Sequence, residues 1–342
     1  MSSRTKTIRL GVIGAGYWGP NLVRNFATLP QCQVSVVCDQ DRQALDRLRP
    51  FYPQIRFASD WREVLGSREI DAVVIATPTS THYEIALEAL RSDKDVFVEK
   101  PLASTVAEAE ELSAEAEQRG KVLMVGHLMV YHPALVRLKA LIQEKELGEV
   151  LYLYSRRVNL GKIRKNENAL LSFAPHDIST VLYLLESEPV EVWARGEAYI
   201  QPGVEDVVFV NITFPTKVMA QIHVSWLDPH KRRELTVVGS KKMAVFNDVS
   251  TTEPVRVYDK GVLEPGTYVS YGDSLGIRSG DIWIPKVEMQ EPLRLECLHF
   301  LSCVEQRTRP LTDGRHGIQV VRVLEKAQMS LKRKGVPVAV QG

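Results

Sequence analysis

Ile8-Arg9-Leu10-Gly11-Val12-Ile13-Gly14-Ala15-Gly16-Tyr17-Trp18-Gly19 decides how the first part of this chain folds. Ile8, Leu10, Val12 and Ile13 predict a buried strand, and Gly14 to Gly19 place G-x-G-x-x-G directly after it. Three glycines at that spacing permit a tight turn, close approach of the backbone to a pyrophosphate, and close helix-strand packing. Trp18, Leu22 and Phe26 continue as a helical stripe with Pro20 in the first turn, so the positive end of that helix points at the glycine loop. The stretch predicts an anion site.

A second apolar strand, Val34 to Cys38, ends in Asp39, about 20 residues past Gly19, where an acid receives the ribose 2′-hydroxyl of NAD. Taken alone, Asp39 reads equally as a turn acid after a strand; the spacing favours the ribose. Arg42 leaves NADP open, but a carboxylate facing a 2′-phosphate is repulsive, so NAD is the expected cofactor.

The 342 residues allow two domains, and 44% hydrophobic with 25% charged residues is ordinary globular composition. With 43 basic and 42 acidic residues the net charge is +1, and no block of like charge suggests nucleic acid or a membrane surface. A small-molecule partner is expected. Cys32, Cys38, Cys297 and Cys303 show no C-x-x-C spacing, no signal peptide is recognisable, and no apolar run reaches the ~18 residues of a membrane helix, so a cytoplasmic protein is expected. No histidine-carboxylate spacing indicates a metal.

Beyond Asp39 the pattern alternates strand and helix. Gln43 to Leu48 and Trp61 to Leu65 read as helices, and Asp71 to Ala76 as a strand covered on both faces. Thr77-Pro78-Thr79-Ser80-Thr81-His82 follows at a carboxyl edge, where such sheets bind ligands; it also reads as a capped start to a helix through Leu90. The next strand, Asp95 to Val98, delivers Glu99-Lys100-Pro101 to the same edge. Lys100 there could polarise a hydroxyl or steady an alkoxide, or be a solvated strand-end lysine. A helix over Thr105 to Gln118 and a strand over Val122 to Val125 complete a β-α-β dinucleotide domain, 1–127.

From 128 to 342 the character changes. After a helix over Ala134 to Gln143, period-two alternation dominates. Val218, Ala220, Ile222, Val224 and Trp226 share one strand face, with Val190–Tyr199, Asp206–Phe214, Glu234–Val238 and Met243–Phe246 as neighbours. A large, mainly antiparallel sheet is expected, its second face packed on another subunit or solvated. Pro175 fits a helix first turn before Ile178, Val181, Leu182 and Leu185, placing His176 and Asp177 at that helix's positive end, where a histidine tends toward a neutral base. An irregular stretch, Gly261 to Gly280, precedes two closing helices, Pro292–Glu305 and Val320–Lys332.

In Gly14 to Gly19, Ala76-Thr77-Pro78, Glu99-Lys100-Pro101 and Pro175-His176-Asp177 the chain resembles the glucose-fructose oxidoreductase and inositol dehydrogenase family, written Gfo/Idh/MocA, and the resemblance covers its full length. The resemblance implies an N-terminal Rossmann domain, then an α/β domain with an open sheet used for homodimers or homotetramers, and hydride transfer between NAD and a sugar or cyclitol carbon. It puts the catalytic lysine on Lys100, the catalytic histidine on His176 and a cis peptide at Lys100-Pro101. It also implies cofactor contacts from Gly14, Gly16, Tyr17, Trp18, Gly19, Asp39, Thr77, Pro78, Thr79, His82, Glu99 and Lys100, and substrate contacts from Tyr131, Asn159, Arg164, Ser172 and Asp177. One position departs: where the family commonly has an aspartate, four residues before the histidine, this chain has Ser172, so the proton route uses another group, such as Asp177, or the chemistry is attenuated.

Tyr17-Trp18-Gly19-Pro20-Asn21, Val125-Gly126-His127, Asn159-Leu160-Gly161, Ser225-Trp226-Leu227-Asp228-Pro229 and Tyr271-Gly272-Asp273 narrow the resemblance to the branch that oxidises nucleotide-linked amino sugars to 3-keto sugars. Arg156, Arg157, Lys162, Arg164 and Lys165 read as a diphosphate grip or as a solvated basic loop.

Overall fold

Ile8–Ile13 forms β1, buried without a break from Leu10 onward, as a strand covered on both faces requires. The structure, a computed structural model, describes residues 7–165, 167–262 and 276–341. From β1 the chain alternates through α1 (Gly19–Ala27), β2 (Cys32–Cys38), α2 (Arg42–Leu48), β3 (Arg56–Ala58), α3 (Trp61–Leu65), β4 (Ala72–Ile75), α4 (His82–Arg91), β5 (Asp95–Glu99), α5 (Val106–Arg119) and β6 (Leu123–Gly126). These strands make one parallel sheet in the order β3-β2-β1-β4-β5-β6. The order reverses between β1 and β4, whose carboxyl ends therefore flank the switch point where open α/β sheets bind ligands. At three residues, β3 is too short to show a hydrophobic period, and the sequence does not announce it. Local chemistry sets the helix ends: Thr105 and Glu108 close a capping box on α5, and Gly120 stops it in the left-handed conformation at φ 62°.

The second sheet follows α6 (Pro133–Gln143). It contains β7 (Val150–Val158), then, after α7 (Ala169–Leu185), β8 (Glu191–Glu197), β9 (Val207–Thr213), β10 (Met219–Ser225), β11 (Arg232–Gly239), β12 (Met243–Asn247), β13 (Val255–Val262) and β14 (Ile277–Trp283). Two helices, α8 (Pro292–Gln306) and α9 (Gly314–Lys332), precede a final short strand, β15 (Val338–Ala339). The order is β14-β13-β12-β11-β7-β10-β9-β8-β15, antiparallel throughout except where β7 runs parallel to β10. The mainly antiparallel expectation holds. On β10, Ala220, Ile222 and Val224 are buried toward α7, while Met219 is 58% exposed on the other face. β13 and β14 reach into the stretch expected to be irregular, because exposed strand residues leave no apolar alternation to read.

The chain divides into two compact units, Met1–Tyr131 with Gln290–Arg322 and His132–Met289 with Val323–Gly342. A single boundary after residue 127 therefore does not describe it: α8 belongs with the first sheet. The reason is aromatic packing, since Phe300 of α8 meets Phe26 of α1 and Phe97 of β5 edge-to-face, with centroids 6.3 Å and 5.7 Å apart. All four cysteines are buried free thiols, and burial pushes Cys32 and Cys38 up to about 12. Among the described residues no helix is long and apolar enough to cross a membrane, and no cluster of histidine, cysteine and carboxylate is placed to hold a metal.

Candidate active site

The glycines of the first loop answer three different constraints. Gly14 has φ +104°, and a Cβ there would lie 2.6 Å from the Ala76 main chain, so the turn after β1 and the end of β4 meet too closely for any side chain. A Cβ on Gly19 would strike the Gly14 carbonyl oxygen. Gly16, in contrast, has nothing within 4 Å of where a Cβ would stand, which leaves its backbone open to a ligand. No side chain caps α1 and no acid lies in its first turn, so its positive end is available to an anion. Asp39, half-buried at the end of β2, accepts from the Ala15 N–H at 2.6 Å and the Asp41 N–H at 2.8 Å, tying the glycine loop to the ribose-side turn. Tyr17 stands 89% exposed beside this loop. An open glycine backbone, an uncapped helix end and a carboxylate at the next strand end fit a dinucleotide.

Thr77, Pro78 and Thr79 stay partly or fully exposed beyond β4. Thr81 occupies the N-cap position of α4 without capping it; its hydroxyl lies 2.8 Å from both the Thr77 hydroxyl and the Pro78 carbonyl oxygen. His82 corrects an expectation. It is 1% exposed, and its Nδ1 and Nε2 lie 2.8 Å and 2.9 Å from the carbonyl oxygens of Pro101 and Thr77, so both ring edges face the protein and neither is offered to a cofactor.

β5 delivers Glu99, Lys100 and Pro101, with the Lys100-Pro101 peptide cis as expected. The Glu99 carboxylate accepts from the Lys100 main-chain N–H at 3.3 Å and from the Trp18 side chain, which links the glycine loop to the Lys100 peptide. Gly126 leaves room for it, since a Cβ there would come within 3.1 Å of that carboxyl group. Burial pushes Glu99 up to about 7 against the pull of the Lys100 charge. Glu296 of α8 was not anticipated. It is fully buried, neither carboxyl oxygen has a hydrogen-bond partner, and burial followed by the charge of Glu99 pushes it well above the usual carboxylate range. The signal was there: Glu296 interrupts the buried stripe of Leu293, Cys297, Phe300, Leu301 and Val304. Tyr131, expected at the substrate, is buried with its hydroxyl 2.9 Å from Thr312 Oγ1, which makes it a packing residue of the first unit.

In the second unit α7 starts at Ala169, where the Asn168 side chain accepts from the Leu171 N–H at 3.1 Å. Pro175 therefore lies inside the helix rather than in its first turn, and His176 follows it, beyond the turn over which the dipole acts. The dipole carries no weight for His176. Ser172 is buried one turn earlier, on the i, i+4 face shared with the half-buried His176. Asp177 is committed elsewhere: its carboxylate accepts from Arg157 Nε at 2.6 Å in an ion pair with both side chains under 10% exposed. The basic cluster is thinned by such pairing, with Arg156 on Glu234 and Arg164 on Glu167, each at 3.2 Å. Asn159 is half-buried and its amide lies against Gly161, where a Cβ would collide with it. Tyr271-Gly272-Asp273 lies outside the described residues.

A parallel sheet with this strand order, a glycine loop whose middle glycine is open, and a carboxylate after the second strand define an NAD-binding oxidoreductase. Residues 8–127 match the model of the oxidoreductase family with an NAD-binding Rossmann fold, and residues 135–245 match the GFO/IDH/MocA C-terminal domain. The chain belongs to the Gfo/Idh/MocA oxidoreductase family. It is 31% identical to a putative oxidoreductase of known structure from Magnetospirillum magnetotacticum MS-1, with TM-score 0.81 over 94% of this chain and 100% of that one. It is 32% identical over 216 residues to inositol 2-dehydrogenase 2 of Paenarthrobacter aurescens, covering 60% of this chain and 64% of the relative. The UDP-N-acetylglucosamine 3-dehydrogenase structure from Acidithiobacillus ferrooxidans shares the fold at 23% identity, TM-score 0.81, over 96% and 98% of the two chains. The chain is thus an NAD-dependent oxidoreductase.

Proposed function

We propose that this enzyme oxidises one secondary hydroxyl of a nucleotide-linked sugar of the UDP-N-acetylglucosamine kind to a ketone. NAD, when bound, supplies the hydride acceptor. Lys100 lowers the cost of the developing alkoxide with its ammonium charge, and His176 removes the hydroxyl proton. Glu99 and Trp18 hold the Lys100 peptide against the glycine loop, so the lysine is placed by the same residues that shape the cofactor turn. Asp39 orients the adenosine ribose. The observation that carries the oxidoreductase reading is the open backbone at Gly16 between two glycines that admit no side chain.

On the substrate side, Lys162, Arg164 and Lys165 on the segment after β7 are proposed to grip the diphosphate, with Asn159 and Ser172 contacting the sugar. A free cyclitol or monosaccharide is the second reading, and a specific observation favours it: Arg156, Arg157 and Arg164 already face carboxylates of the protein. The outer face of the second sheet, with Tyr152, Tyr154, Trp193, Phe209 and Met219 exposed, is proposed to bury against a second copy of the chain.

The test is NADH absorbance with NAD+ and UDP-N-acetylglucosamine, free N-acetylglucosamine or myo-inositol in parallel, with an aminotransferase drawing off the ketone. Turnover of the UDP-sugar alone supports the first reading; turnover of the free polyol alone replaces it with the second. Bound NAD with no turnover of any of the three would refute both and favour a keto-sugar reductase or an NAD-binding regulatory protein.

A further inference from the structure

The imidazole of His82 stands between two strand ends. It opens α4, it is walled from solvent, and its ring nitrogens face the carbonyl oxygens of Pro101 at 2.8 Å and Thr77 at 2.9 Å. Both neighbours are acceptors only, and a neutral imidazole has one N–H to give. We propose that His82 is a positioning residue for Lys100: its Nδ1–H holds the carbonyl oxygen of Pro101 and fixes the residue that follows the lysine, while its Nε2 edge rests on the Thr77 loop.

Lys100 is then held from both sides. Its N–H donates to Glu99 at 3.3 Å, and the residue after it is fastened to α4. The Thr77–Thr81 turn is itself braced by the contact between the Thr81 and Thr77 hydroxyls, so the ring bears on a firm wall. Burial disfavours the charged ring and outweighs the pull of the two carbonyl oxygens, and the nearby Lys100 ammonium adds to it, so a single N–H serves the clasp. A shift of about 1 Å in a catalytic group can cost on the order of a hundredfold in rate, which is the scale on which such a clasp matters.

This rests on Lys100 being the catalytic lysine, so the experiment separates the two ideas. An asparagine amide nitrogen takes the place of Nδ1 and a glutamine amide nitrogen the place of Nε2. His82→Asn therefore keeps the Pro101 bond and His82→Gln keeps the Thr77 contact. The rate of reductive methylation of Lys100, read by peptide mass spectrometry, should stay within about twofold of wild type in His82→Asn and change by at least about fivefold in His82→Gln, on the scale of one lost hydrogen bond. On whichever substrate is turned over, kcat should fall about tenfold in His82→Gln with KM for NAD+ little changed, and His82→Asn should recover most of it. Imidazole nitrogen NMR of the wild-type protein should show the Nδ1–H tautomer for His82. An Nε2–H tautomer, or His82→Gln matching wild type while His82→Asn does not, would overturn the proposal. Altered Lys100 reactivity without turnover in any form would uphold the clasp and refute the catalytic role of the lysine.

Discussion

Substituting alanine separately at Gly14 and Gly16 separates folding from cofactor binding within one loop. At Gly14 the φ of +104° costs an L-residue roughly 1–2 kcal/mol. A Cβ 2.6 Å from the Ala76 main chain adds about 1–3 kcal/mol of overpacking, because backbone rather than a flexible side-chain end must give way. Together these amount to about 2–5 kcal/mol, a large share of the 5–15 kcal/mol that holds a typical protein folded. A drop in Tm of at least about 5 °C is expected for Gly14→Ala. At Gly16 nothing lies within 4 Å of the added methyl, so Gly16→Ala should leave stability within about 0.5 kcal/mol of wild type. Its methyl projects instead into the space through which the pyrophosphate approaches the backbone. NADH titration by fluorescence should show Kd raised at least about tenfold, equivalent to ~1.4 kcal/mol. Calorimetry and the titration on the same two proteins complete the test. Unchanged NADH affinity in Gly16→Ala, or an unchanged Tm in Gly14→Ala, would refute the assignment of those two glycines.

Lys100→Met should bind NADH within about threefold of wild type while kcat falls ~100-fold or more, measured by titration and steady-state turnover. Glu99, raised from 4.5 to about 7 in the fold, binds its proton more tightly folded than unfolded, so its contribution to stability is full below about 4.5 and is lost as pH rises to about 7. Glu296 is raised for the same cause, so Glu296→Gln should lose less Tm than wild type between roughly pH 5 and pH 8 in differential scanning calorimetry. Arg157→Met should cost about 3–5 kcal/mol in urea unfolding by stranding the buried Asp177 carboxylate, and adding Asp177→Leu should recover most of it. Tyr152→Glu with Met219→Glu, on paired positions of β7 and β10, should lower the sedimentation mass if the outer sheet face is covered by a second copy.

How far the sequence reached follows from how local each signal is. The glycine loop, Asp39 and the Glu99-Lys100-Pro101 strand end are contiguous patterns whose chemistry is spelled within a few residues, and they fall where a six-stranded parallel sheet puts ligands. His82 was legible as a residue but not as a role, because its partners are main-chain carbonyls from two other loops, and carbonyls carry no sequence signature. Glu296 could have been found as an acid on an apolar stripe, but its neighbour Glu99 comes from a strand far away in the chain. A proline reads as an N-terminal helix signal, yet Pro175 lies inside α7, because the Asn168 cap and the buried residues from Ala169 set the start.

A consequence for the chemistry lies in the serine one turn before His176. A helix rises 1.5 Å per residue, so residue 172 stands one turn before His176 on the same face, where an aspartate would be aimed along the helix toward the imidazole. Serine there supplies a hydroxyl, which orients a ring through one hydrogen bond but cannot stabilise an imidazolium by charge. The neighbouring acid does not substitute, because Asp177 faces β7 and its negative charge is matched by Arg157 within the buried pair. If the imidazolium formed by proton removal lacks that support, most of the transition-state stabilisation falls to Lys100, whose ammonium acts on the alkoxide itself. Ser172→Asp should then raise kcat on the plateau of its pH profile and move the acid limb of that profile upward, because a carboxylate beside the imidazole favours its protonated form, and should relax the dependence on Lys100 in a double-mutant cycle with Lys100→Met. A Ser172→Asp variant that leaves kcat and its pH profile unchanged would show that position 172 is not on the proton route.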